Sequence, residues 1–115
     1  MPNKGLGQLE RLTVGERALI QRRRRGENQR RAAERHGLSI FIYGRLERDN
    51  PPRWLMIVPI KIDKLTPAER CLLYRRRAGY TQARVAKELG VCRWWLNQME
   101  RGAVACDDLL WYWEA

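Results

Sequence analysis

The chain has 115 residues, 44% of them apolar, and 23 Lys and Arg against 13 Asp and Glu, for a net charge of +10. That length holds one ordinary domain or two very small ones, and the apolar share excludes global disorder. A single histidine (His36), scattered carboxylates and three cysteines without a CxxC pair argue against an enzyme, a metal site or a cofactor, and no apolar run approaches the roughly 20 residues of a membrane span.

Residues 1–11 read as a flexible arm, and Met1 to Gln8 lacks the apolar stretch of a secretion signal. The next segment, 12–48, aligns without a gap with 65–101 at an offset of 53 residues, with 15 of 37 positions identical. The chain therefore reads as two copies of one small fold: a first, divergent unit over 12–50 and a second over 65–115. Thr13 with Glu16, and Thr66 with Glu69, have the spacing of a capping box, and Pro67 suits the first helical position. Gly26 and Gly79 suit a left-handed stop after each first helix. Asn28 and Thr81 then cap second helices over 29–36 and 82–89. Gly37 and Gly90 end these, and Ser39 and Cys92 cap third helices over 40–46 and 93–99. Two short helices joined by a tight glycine turn make a helix-turn-helix.

The apolar positions agree. Val85, Ala86, Leu89, Val91, Leu96 and Met99 form the expected inner faces of the second copy, matched by Ala32, Ala33, His36, Leu38, Tyr43 and Leu46 in the first. His36 reads as a partly buried side chain with one hydrogen-bond partner. Between the copies, 51–64 begins with Pro51-Pro52 and continues as an apolar, β-rich run. It reads as an extended linker or edge strand that must pack somewhere. The end of the chain predicts a short closing helix near Asp107, with Leu110 and Trp111 in the core and Tyr112 and Trp113 extending to a subunit contact.

The stretch RRRAGYTQARVAKELGVCRWWLNQMERG (75–102) resembles the Cro/repressor-type, or XRE-type, helix-turn-helix of the lambda-repressor-like fold. The first copy (22–49) is similar but ends on Asp49 where the second has Gly102. The resemblance implies an all-α fold of two tandem units and a phage-like or bacterial transcription regulator, cytoplasmic and bound to the nucleoid, whose partner is double-stranded DNA. It implies that Arg22 pairs with Glu47 and Arg75 with Glu100 as structural ion pairs. It also implies that Gln29 and Gln82 touch the DNA backbone or a nearby base. Arg93, Trp94, Asn97 and Gln98 face outward as base readers, since Arg can pair with guanine, Asn and Gln with adenine, and Trp can meet a thymine methyl. Of the adjacent Trp94 and Trp95, only one is expected in the core.

Arg23, Arg24, Arg31, Arg45, Arg76, Arg77 and Arg84 are candidate phosphate contacts. The third helix of the first copy is apolar, with Ile40, Phe41, Gly44 and Arg45 at the outward positions. Two readings therefore stay open. The chain is a DNA-binding regulator acting as a single-chain pseudo-dimer. Alternatively it is a protein-interaction module (an antirepressor, antiactivator or polymerase-binding factor), with Ile40, Phe41, Trp95 and Trp54 as its surface for a protein partner or a second copy.

Overall fold

Local capping chemistry sets the helix starts. In the computed structural model, which describes residues 11–57 and 59–115, Thr13 Oγ1 accepts from Glu16 N at 3.1 Å while Thr13 N donates to Glu16 Oε1 at 2.9 Å. Thr66 and Glu69 repeat this at 3.2 and 2.9 Å. Asn28, Thr81, Ser39 and Cys92 each accept from a backbone amide three residues on. Each cap satisfies a donor that the first helical turn leaves unpaired.

Seven helices follow among the described residues, with no strand: α1 (Val14–Arg24), α2 (Gln29–His36), α3 (Ile40–Glu47), α4 (Pro67–Ala78), α5 (Gln82–Leu89), α6 (Arg93–Arg101) and α7 (Asp107–Glu114). The protein is all-α. Its chain divides into two compact units, the first spanning Glu10–Asp63 with α1–α3, the second holding Lys64–Ala115 with α4–α7. The arm expected over 1–11 lies outside the described residues except for Arg11. No helix among the described residues is long and apolar enough to cross a membrane.

In the second unit, Ala68, Cys71 and Tyr74 of α4 pack with Val85 and Ala86 of α5 and Leu96 and Met99 of α6. Leu89 and Val91 lie at the margin, half-buried. Ala86 is 2% exposed, because a larger side chain would hold α5 off its neighbours. The closing helix differs from expectation in its phase. Leu109, Tyr112 and Trp113 are buried, Leu110 is half-buried, and Trp111 is 59% exposed. Helical steps of about 100° put 109, 112 and 113 on one face and 111 opposite.

The first unit builds its core from Ala18, Ala32, Ala33, Tyr43 and Leu46, but has no fourth helix. Ile60 and Ile62 close that core instead, and Arg17 Nη1 donates to the Ile60 carbonyl at 3.1 Å. The segment expected as a linker is thus the final layer of the first unit, and it is not a strand. A polar linker could not do this. The apolar run is needed because three short helices leave one side of their core open to water. His36 stacks on Tyr43 with ring centroids 5.7 Å apart, and its Nε2 is buried without a partner, not hydrogen-bonded as expected. Burial, then the neighbouring Arg35 charge, hold its pKa below the usual histidine value.

The divergent end of the first copy has a physical role. Asp49 takes φ +59°, at the position where Gly102 takes +78°. Aspartate tolerates this left-handed conformation better than most residues. Its carboxylate also receives the Thr13 hydroxyl at 2.7 Å and the Gly15 amide at 2.8 Å, placing negative charge at the start of α1. Here α1 and α3 approach very closely: a Cβ on Gly15 would lie 2.5 Å from the Glu47 carbonyl oxygen. Gly15→Ala is therefore expected to destabilise the first unit by about 1–3 kcal/mol in urea unfolding. Gly44→Ala meets only the flexible end of Arg48, and should change the midpoint little. Equal midpoints for the two variants would contradict the close approach.

Candidate nucleic-acid interface

Each unit pins its third helix to its first by the same ion pair. Arg22 Nε donates to Glu47 Oε2 at 2.6 Å and Arg22 Nη2 to Glu47 Oε1 at 3.3 Å; the Arg75–Glu100 distances are 2.7 and 3.1 Å. The remaining guanidinium nitrogen donates to a loop carbonyl, that of Glu27 or Tyr80. The forked guanidinium matches the carboxylate at two points, which fixes helix orientation as well as charge. Gln29 and Gln82 also turn inward. Their amide nitrogens donate to Glu47 Oε1 at 3.0 Å and to Glu100 Oε1 at 3.1 Å. Their amide nitrogens thus support the ion pairs, while both residues remain half-buried. Gln82 additionally reaches Asn97 Oδ1 at 3.3 Å, joining the start of α5 to the face of α6.

This pinning withdraws the sole carboxylate of each third helix. Glu47 and Glu100 are 4% and 2% exposed, so the exposed faces of α3 and α6 carry no negative charge. On α6, Leu96 and Met99 fill the core, and both tryptophans are outside it. Trp94 is 63% exposed and Trp95 40%, with ring centroids 6.1 Å apart. The expectation that one would be core fails for a geometric reason. Residue 94 lies nearly opposite Leu96 on the helix and residue 95 lies to its side, at about 100° per residue. Arg93 is exposed beside them, and Asn97 and Gln98 are half-buried. Arg93, Trp94, Asn97 and Gln98 therefore share one short helix, offering a cation, an aromatic ring and two amides.

The candidate phosphate contacts separate into two kinds. Arg31 and Arg24 are exposed, and Arg23, Arg76 and Arg77 are half-buried. Arg84 is held in place: its Nε donates to Glu88 Oε2 at 3.1 Å, and its guanidinium lies 3.7 Å from the Tyr80 ring centroid. Tyr112 donates in turn to Glu88, so α7 steadies this group, and burial with the Glu88 bond pushes the Tyr112 hydroxyl pKa up. Arg45 is directed to its own loop, donating to the Asn50 carbonyl at 3.0 Å, and Gly44 beside it is buried instead of outward. Glu27 is neutralised by Arg35, whose hydrogen bond holds the carboxyl pKa below the usual range.

Ile40 and Phe41 are exposed, at 38% and 80%, and so is Trp54 at 68%. Sequence reasoning missed Tyr80, Glu88 and Arg48. Arg48 stands in register with Arg101, and this repeat equivalence is the signal that marks it. Among the described residues no cluster of His, Cys, Asp or Glu is placed to hold a metal ion. No family model, curated protein or solved structure matches this chain.

Proposed function

We propose that the chain is a sequence-specific double-stranded DNA-binding protein of the helix-turn-helix type, a transcriptional regulator carrying in one chain the two units that a dimer would supply. One observation carries the reading. Helix α6 exposes Arg93 and Trp94 beside Asn97 and Gln98, while its only carboxylate is buried against Arg75. These side chains match the donor, acceptor and methyl pattern of the major groove. The net charge of +10 supplies the attraction to phosphate. A protein with this role works on the bacterial nucleoid.

Titration of duplex DNA at increasing salt tests the division of labour. Arg93→Ala should cost about 1–3 kcal/mol on the preferred sequence and relax discrimination at one base pair. Arg31→Ala, on an exposed cation at the start of α2, should weaken binding to all duplexes alike and lower the salt slope by about one. Loss of the same size on every sequence for both variants would remove α6 as the reading helix. The exposed Ile40, Phe41 and Trp54 of the first unit favour a second reading, in which that unit binds a protein partner and only the second unit reads DNA.

A further inference from the structure

The two units differ most where bases would be read. Ile40, Phe41, Gly44 and Arg45 stand in register with Arg93, Trp94, Asn97 and Gln98. Gly44 is buried, and Arg45 Nε is taken up by the Asn50 carbonyl. The first two side chains of α3, Ile40 and Phe41, thus offer no donor or acceptor to a base edge, and Arg45 keeps its Nη groups alone for one. The helix offers a ring: Phe41 is 80% exposed, with Ile40 next to it.

The same register in the second unit holds Trp94, 63% exposed. Although the third helices otherwise share few residues, both copies present a large aromatic side chain at the second helical position. Core packing does not explain this, because Tyr43 and Leu46, or Leu96 and Met99, fill the cores. Local structure does not explain it either. The N-caps Ser39 and Cys92 set the helix starts through the amides of Ile42 and Trp95.

We infer that Phe41 and Trp94 each contact the C5-methyl group of a pyrimidine in the major groove, and that in the first unit this contact, shared with Ile40, constitutes base recognition. The inference rests on the DNA-binding reading above. The C5-methyl is the apolar feature of the major-groove edge, carried by thymine and equally by 5-methylcytosine. The surrounding charge suits DNA. Arg30, Arg31 and Arg48 are exposed and outnumber the exposed Glu34, whereas Glu47 is bound by Arg22, Asp49 by Thr13 and Gly15, and Glu27 by Arg35.

The test uses the full chain and a duplex enriched by it from a random pool. Each thymine is replaced in turn by uracil, which removes only the methyl. Dissociation constants should rise about four-fold at one position in each of two half-sites, the worth of one buried methyl. Phe41→Ala should abolish the uracil effect in one half-site and Trp94→Ala in the other. Both side chains are exposed, so circular dichroism and melting temperature should stay unchanged. At the same positions, 5-methylcytosine should bind more tightly than cytosine by a similar factor, and its ranking against thymine identifies the natural source of the methyl. Insensitivity to uracil throughout an enriched duplex overturns methyl reading while leaving DNA binding intact. Unchanged DNA affinity in Phe41→Ala overturns it for the first unit. Failure to enrich any duplex overturns both readings together.

Discussion

Arg75→Ala should lower the stability of the second unit by about 3–5 kcal/mol, a large part of the about 5–15 kcal/mol that holds a typical domain together. The cost does not come from the ion pair being strong. A buried pair gains little over apolar residues of the same shape, because both charges must leave water. The cost comes from what remains. The Glu100 side chain is 1% exposed, and without Arg75 this buried carboxylate loses the guanidinium that neutralises it. The Tyr80 carbonyl loses its donor as well. Replacing both members, as in Arg75→Met with Glu100→Leu, should recover most of the loss, and urea unfolding of the single and double variants separates the two effects. A loss below about 1 kcal/mol in Arg75→Ala would mean that α6 is not pinned through this pair.

Trp113→Ala should be comparably damaging, at about 3–5 kcal/mol. The indole is fully buried and forms the centre of an aromatic cluster. Its ring lies 6.2 Å from Tyr74, 5.7 Å from Tyr80 and, edge-on, 4.9 Å from Tyr112. Truncation leaves a cavity between helices that are already fixed by other contacts. The α7 anchor also fails, because Glu114, which binds both Arg70 and Tyr74, then sits on a loosened helix. Trp113→Phe should cost less than half as much. It removes an indole N–H that is buried without a partner, so the packing loss is offset by relief of that unpaired donor. Thermal unfolding ranks the variants, and Trp113→Phe matching Trp113→Ala would contradict this account of the cluster.

Much of the helical framework was legible in the sequence because it is local. A threonine with a glutamate three residues on, or a glycine after a basic turn, acts through hydrogen bonds within a few residues. The ion pairs Arg22–Glu47 and Arg75–Glu100 were expected from the helix-turn-helix resemblance, and the repeat at an offset of 53 residues put them in the same register in both copies. The phase of α7 was not legible. Leu-Leu-Trp-Tyr-Trp is apolar at every rotation, so periodicity selects no face, and packing against α4 and α5 decides. The role of Ile60 was hidden for a related reason: its burial depends on an open core edge in α1–α3, not on its neighbours in the chain. Asp49 looked like a defect in the pattern until Thr13 and Gly15 were seen to bind it. For the candidate interface, the helix-turn-helix resemblance pointed to the residues of α6, but only the structure showed that Gln29 and Gln82 serve the buried carboxylates.

The measurement closest to the central claim is enrichment of random-sequence duplexes by the full chain at physiological salt. The account predicts a preferred sequence with two unlike half-sites, bound about 1,000-fold or more tightly relative to a scrambled duplex of the same composition. The half-site in which Arg93→Ala relaxes discrimination at one base pair should be the one with a guanine contact. Recovery of a pool no different from the starting mixture, with binding that depends on salt alone, would contradict it.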